Sequence, residues 1–291
     1  MMHTIQKYLI LLLVFFWGFL SAQDKMYVPR PLKMSPKNSE IGIFLGASYY
    51  TGDLNPGGHF NRFTRPAAGG LYRMNFNQRF AAKAIASIGS IEADDAYSNN
   101  DQIRNRNLSF RSKIYEFAVE EEFNFLPFAI GNKKTFISTP YVFGGLAVFH
   151  FNPEGMYQGR WYNLQPLGTE GQGSAFSSQK PYSLTQFSIP FGVGIKINTA
   201  KFVGINFEWG VRKTFTDYLD DVSGNYPDPY LLMSEKGPVA VGLSDKSLTQ
   251  VKGGDAGRQR GDSFTKDWYY FAGVIITFKM RSNENACDVP H

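Results

Sequence analysis

Closely spaced carboxylates are the residues of this chain whose types could carry out catalysis. Glu116, Glu120 and Glu122 alternate along an aromatic-rich stretch, residues 108–125. Two carboxylates flanking one bond are what a glycoside hydrolase uses as its acid and base. The alternative is structural, with the same carboxylates forming ion pairs with cations on neighbouring stretches. The sequence favours the ion pairs, because such cations recur on comparable stretches.

Three further patterns could bind or react but lack the required signature. The run DAYSNND offers oxygen ligands for calcium without the spacing of a calcium loop. The glycines of PLGTEGQG, residues 166–173, are not followed by the signature of a phosphate-binding loop. His59, His150 and His291 do not follow a nucleophile motif. We therefore expect no enzyme activity, metal or cofactor.

The element best placed to position these residues is a hairpin over residues 186–221. On its first arm Phe187, Ile189 and Phe191 alternate with polar or small residues, and the second arm, from Val203, alternates in the same way. Successive strand residues point to opposite faces, so each arm is apolar on one side only. Each arm is long enough to cross a hydrocarbon layer when tilted. The hairpin therefore favours a membrane barrel over a soluble sheet.

The same alternation recurs along the chain and predicts an all-β fold. We expect an eight-stranded antiparallel up-and-down transmembrane β-barrel with short periplasmic turns and long extracellular loops. A barrel of eight strands has a lumen that side chains fill, so an open pore is not expected. The predicted strands are 40–50, 67–76, 80–91, 108–125, 140–151, 186–197, 203–212 and 267–278.

Composition and the chain ends agree with an exported membrane protein. Aromatic residues make up 16% of the 291 residues, charged residues only 19%, and the net charge of +5 gives no reason to invoke nucleic acid. Lys7 and the apolar run after it predict a signal peptide over residues 1–22. A periplasmic segment follows at 23–39, the barrel at 40–279 and a periplasmic tail at 280–291. Cys287, the single cysteine, cannot form an internal disulfide.

Charged residues on the non-lipid faces of the strands are expected to neutralise one another inside the barrel. An unpaired ion in a dry interior costs several kcal/mol. Four cations and four carboxylates are available on these faces, and we predict that they form a lumen network. They are Arg73, Lys83, Lys196 and Arg212, with Glu116, Glu120, Glu122 and Glu208.

Four sequence segments, taken in their order along the chain, resemble those of one known family. They are YTGDLNP (50–56), NLSFRSKIYEFAVEEEFNF (107–125), PLGTEGQG (166–173) and EWGVRKTFTDYLDDVSGNY (208–226). They resemble PorG-like outer-membrane proteins of Bacteroidetes, components of the type IX secretion system. The resemblance implies a barrel in outer-membrane lipid that associates with the periplasmic ring of the PorK lipoprotein and PorN. Residues 233–260 match least.

The predicted barrel and the family resemblance suggest two alternative functions. The first is a structural component that anchors or positions the PorK/PorN ring through periplasmic surfaces. The second is a binding module whose extracellular loops recognise a ligand, cargo or surface partner, since loops on a rigid scaffold commonly carry recognition. The loop residues expected to serve recognition are Trp161, Glu170, Asp217, Tyr218, Asp220 and Asp221.

Overall fold

The computed structural model describes residues 39–132, 135–249 and 255–280. The predicted signal peptide, the rest of the N-terminal segment up to residue 38, the tail from residue 281 and Cys287 lie outside the described residues. Among the described residues, no helix is both long and apolar enough to cross a membrane.

Ten strands and three short helices form in the described part of the chain. The eight long strands correspond to the predicted ones, with ends within three residues of the predicted ends, whereas β6 and β7 are a short hairpin that the sequence did not reveal. The strands are β1 Ser39–Thr51, β2 Arg65–Asn75, β3 Phe80–Asp94, β4 Ser109–Asn124, β5 Ser138–Phe151, β6 Glu154–Tyr157, β7 Arg160–Asn163, β8 Thr185–Asn198, β9 Val203–Thr214 and β10 Trp268–Lys279. The helices are α1 Asp101–Arg106, α2 Pro229–Lys236 and α3 Pro238–Ser244.

The eight long strands close into an antiparallel barrel. Each pairs with its neighbour in chain order, and β5 pairs with β8 across the β6–β7 insertion. The first and last strands close the ring in continuous register from Glu40–Lys279 to Thr51–Trp268. Every long strand therefore has a partner on both sides, and the barrel has no free edge.

Side chains alternate strictly between the two faces of the wall. On β4, Tyr115, Phe117 and Val119 are about half exposed, while the alternating residues Glu116 and Glu120 are buried. An apolar outside around a charged inside is the reverse of a soluble core and defines a transmembrane barrel. The outer band also includes Ile41, Ile43, Leu45, Phe187, Phe191, Val193, Ile195 and Phe207.

The connections differ in length at the two ends of the barrel. Residues 76–79, 125–137 and 199–202 make the short-turn end, where both β1 begins and β10 ends. Residues 52–64, 95–108, 152–184 and 215–267 make the long-loop end. The tightest turn is fixed locally, because the side-chain oxygen of Asn77 accepts hydrogen bonds from the backbone N–H groups of Arg79 and Phe80 at 2.7 and 2.8 Å.

A charge placed on the middle of the outer face should destabilise the barrel in lipid. Leu45 lies at the centre of β1 and is 54% exposed. We expect Leu45→Arg to cost about 2–4 kcal/mol, because the guanidinium would face hydrocarbon. Urea unfolding of the barrel from lipid vesicles measures this cost. The control is Phe264→Arg in the β9–β10 loop, where the side chain is 94% exposed; an equal cost for the two variants would contradict a lipid-facing Leu45.

Candidate functional site: lumen network and loop layer

Glu122 on β4 is the centre of the ion pairs nearest the short-turn end. The Arg73 guanidinium lies 2.8 Å from its carboxylate, and the Lys196 ammonium donates to it at 2.6 Å. Arg73 also binds Glu40 at 2.7 Å, and Asn75 donates to the other oxygen of Glu40 at 2.9 Å. Three strands from opposite walls are therefore joined through one carboxylate.

Lys83 lies in the middle of the lumen. Its ammonium lies 2.8 Å from Glu120 and 2.6 Å from Glu208, and the Tyr141 hydroxyl donates to the same oxygen of Glu208 at 2.7 Å. The ammonium also sits 4.6 Å from the centroid of the Phe143 ring. An aromatic face adds electrostatic stabilisation to a desolvated cation.

Arg212 and Glu116 form the layer nearest the long-loop end. The Arg212 Nε and Nη2 atoms both donate to the Glu116 carboxylate, at 3.1 Å for the closest contact of each. The Tyr269 hydroxyl donates to Glu116 at 2.7 Å, and the guanidinium lies 4.8 Å from the centroid of the Phe271 ring. A two-point arginine–carboxylate contact is among the strongest ion-pair geometries in proteins.

Glycines on the inner face make room for these long side chains. A Cβ added to Gly194 would lie 2.5 Å from the Tyr141 ring, and one added to Gly210 would lie 2.2 Å from the Arg212 guanidinium. The alternation of glycine with charge on β8 and β9 thus reflects the packing of large groups across a narrow lumen.

All eight charged residues expected in the lumen lie inside the barrel, and the structure adds one more, Glu40. Among the described strand residues, four lumen cations therefore face five carboxylates. Alternation along β1 puts Glu40 on the same face as Gly42, which is the signal that could have identified it. The carboxylates of Glu116, Glu120 and Glu122 are at most 4% exposed and already engaged. The arrangement neutralises charge and gives a glycoside no access to them.

The loop residues expected to serve recognition are mostly buried. Glu170, Asp217, Asp220 and Asp221 are at most 5% exposed and Tyr218 is half-buried, which corrects their expected display at the surface. Trp161, at 37% exposure, remains accessible, although the Arg111 guanidinium lies 3.9 Å from its ring centroid.

Arg260 explains the burial of two of these carboxylates. Its guanidinium lies 3.0 Å from Glu170 and 3.9 Å from Asp221. Asp221 also accepts a hydrogen bond from the Tyr182 hydroxyl at 2.7 Å and one from Thr169. The carboxylates therefore tie the β9–β10 loop to the β5–β8 insertion. Nothing in the local sequence around Arg260 indicates these partners, because Glu170 lies in another loop and Asp221, although in the same loop, is 39 positions away.

A second carboxylate pair attaches the same loop to the barrel rim. The Tyr50 hydroxyl contacts Asp220 and lies 3.1 Å from Asp267. Asp267 also accepts the backbone N–H of Leu219 at 2.9 Å. Burial raises the pKa values of Asp220 and Asp267 well above their ordinary range, because a charged carboxylate is poorly solvated there.

The long-loop end also contains an open cavity of about 1100 Å³. Trp268 and Tyr270 contribute from the barrel wall, and Arg258 and Lys266 from the β9–β10 loop. His59 lines it and hydrogen-bonds to Tyr49 at 3.3 Å. Among the described residues, no group of three or more His, Cys, Asp or Glu side chains is arranged to hold a metal ion.

The architecture defines an eight-stranded transmembrane β-barrel whose lumen is filled by side chains. The chain belongs to the family described as Domain of unknown function (DUF6089), whose model matches residues 26–233. No curated protein sequence matches it.

Several solved outer-membrane barrels are similar in fold. Neisserial surface protein A is 8% identical, with 86% of this chain and 100% of that chain covered and a TM-score of 0.40. Ail of Yersinia pestis is 12% identical, with 82% and 97% covered and a TM-score of 0.36. OprG of Pseudomonas aeruginosa is 9% identical, with 83% and 97% covered and a TM-score of 0.35. The barrel assignment rests on the strand pairing described above.

Removing one partner of a lumen ion pair should lower the free energy of unfolding more than removing both partners. We expect Arg212→Met to destabilise the barrel by about 3–5 kcal/mol, because Glu116 is left charged in a dry interior. The double variant Arg212→Met with Glu116→Gln should recover part of that loss. Urea unfolding from vesicles, followed by tryptophan fluorescence, measures both. A double variant that is as unstable as Arg212→Met, or less stable, would contradict a direct pair.

The packed loops of the long-loop end, which we call the loop layer, should unfold locally more readily as pH rises. Burial raises the pKa values of Asp217 and Asp221 to about 6, from an ordinary value near 3.8. The closed loop therefore binds more protons than the open loop between pH 4 and 6. Its stability is fully present below this window and is lost as pH rises through 6.

Amide hydrogen exchange of residues 217–224, corrected for intrinsic exchange rates, measures this opening. We expect the free energy of opening to fall between pH 4 and 7, and Asp221→Asn to flatten the dependence, since an amide does not titrate. A free energy of opening that rises over this range would contradict the assignment.

Proposed function

We propose that this chain is a non-enzymatic integral outer-membrane barrel that acts as a structural component of the type IX secretion system. One observation carries the structural role: the lumen is filled by paired charges and aromatic rings, with Glu122, Lys83 and Arg212 at its centres. A barrel filled in this way works through its outer surfaces. A role in type IX secretion is supported by the four sequence segments that resemble PorG-like proteins.

In this proposal the short-turn end faces the periplasm and contacts the PorK/PorN ring. The β4–β5 connection exposes Phe136 by 52% and Ile137 by 75%. Their backbone is held in place, because Phe136 N–H donates to the carbonyl of Pro127 at 3.2 Å and Ile137 accepts from the N–H of Asn198 at 2.8 Å. Exposed apolar side chains whose backbone is held by hydrogen bonds are suited to a protein contact.

The cavity at the long-loop end favours a second candidate, a binding module for a ligand, cargo or surface partner. Concave sites with aromatic walls and a few charged groups are the usual form of a ligand site. Trp268 and Tyr270 supply the aromatic wall here, and Arg258 and Lys266 the charge. The exposed Trp161 lies in the same loop layer.

One complementation experiment separates the two functions. A deletion strain would receive the wild-type gene, the double variant Phe136→Ser with Ile137→Ser, or Gly57→Tyr. Gly57 lines the cavity, and a Cβ added there meets no atom within 4 Å, so a larger side chain can be attached at the cavity edge without a clash at its Cβ. Secreted type IX cargo and co-purified PorK and PorN are the two measurements.

A ring-anchoring role predicts that the serine variant loses PorK/PorN co-purification and secretion together, whereas Gly57→Tyr retains both. A recognition role predicts that Gly57→Tyr loses secretion with the ring contact intact. Unchanged secretion in the deletion strain would refute a role in type IX secretion altogether.

A further inference from the structure

An apolar groove of about 710 Å³ runs along the outer wall of the barrel across β2 to β5. The groove results from the side chains that lie next to one another on these four strands. Ala68, Ile88, Tyr115 and His150 lie in one row across the four strands. The next row, toward the short-turn end, is Gly70, Ala86, Phe117 and Val148. Ala68, Gly70 and Ala86 are small and lie beside two large rings on β4, which leaves a channel in the wall.

The position of the groove determines the kind of molecule that can fill it. Its rings belong to the exposed outer band, with Tyr115 at 48% and Phe117 at 51% exposure. This face of a transmembrane barrel contacts hydrocarbon. The molecule that meets an apolar channel at this depth is a lipid acyl chain.

The rim of the groove toward the long-loop end is polar and cationic. Lys113 is exposed on the same face of β4 as Tyr115 and lies two residues beyond it, about 7 Å further along the strand. At the level of Tyr115, His150 hydrogen-bonds to Thr185 at 3.1 Å. An apolar channel below a polar rim matches an amphiphile that lies along the barrel wall.

Lys113 differs from the other cations near this rim. Arg111 is paired with Glu154 at 2.8 Å, and Arg65 is paired with Glu92. Within the ranges that the structure describes, Lys113 makes no ion pair. Its ammonium is therefore available to an anion at the polar rim of the groove.

We infer that this groove is a specific site for a phosphate-bearing membrane lipid, with one acyl chain along Ala86 and Phe117 and the phosphate against Lys113. Binding by this geometry requires both parts of the lipid. It is independent of the secretion role, because it uses the outer wall and neither the short-turn end nor the loop cavity.

The test is lipid retention by the purified full-length barrel in a zwitterionic detergent, measured by native mass spectrometry. The probes are palmitoyl-oleoyl-phosphatidylglycerol, the diacylglycerol with the same chains, and glycerol phosphate. Lys113→Gln removes the charge, and Ala86→Phe fills the channel. Lys213→Gln is the matched control, since Lys213 is also an exposed strand cation but lies on β9, outside the groove.

We expect only phosphatidylglycerol to be retained. Lys113→Gln should weaken retention about fivefold, the effect typical of one lysine at an anionic lipid surface, whereas Lys213→Gln leaves it unchanged. Ala86→Phe should abolish retention, because the acyl chain loses its channel. Equal losses for Lys113→Gln and Lys213→Gln, equal retention of diacylglycerol, or wild-type retention by Ala86→Phe would each overturn the site. Co-purification of a protein helix in the groove in place of lipid would also overturn it.

Discussion

Charge neutralisation in a narrow interior is the constraint on which the rest of this barrel depends. The lumen holds Arg73, Lys83, Lys196 and Arg212, and each must meet a carboxylate because an isolated buried ion is strongly unfavourable. The pairs in turn determine where glycine is required, since Gly194 and Gly210 leave space for Tyr141 and Arg212. The outer face has a simpler requirement, apolar side chains of suitable length. The two faces together explain why these strands alternate more strictly than the chain between them.

The sequence predicts the barrel well because strand period and lumen charge are local signals. Alternation along β4 alone separates Tyr115 and Phe117 from Glu116 and Glu120. The loop layer has no such period. The β6–β7 hairpin was missed because its strands are four residues each, and the burial of Glu170 and Asp221 depends on Arg260, which is distant in the sequence. Acidic residues in a polar loop therefore suggested recognition, when their contacts are with the protein itself.

The two ends of the molecule differ in structure. The short-turn end has brief connections and displays Phe136 and Ile137 beside the wall. The long-loop end is a second folded layer, in which Arg106 contacts Asp95 on its own loop and the carbonyls of Asp53 and Arg260 on two others. Buried polar contacts of this kind specify one arrangement of the loops. The cavity in that layer therefore has defined walls, and its aromatic side is continuous with the barrel.

The long-range pairing in the lumen has a consequence for how the protein enters the membrane. Lys83 and Glu208 are 125 positions apart, and Tyr269 and Glu116 are 153 apart. A hairpin inserted by itself would carry its charges into hydrocarbon without their partners. Closure of β1 against β10 is also the last pairing to become available as the chain is synthesised. Insertion of this barrel should consequently be concerted, with the wall delivered to the bilayer as a nearly complete cylinder and its interior already sealed.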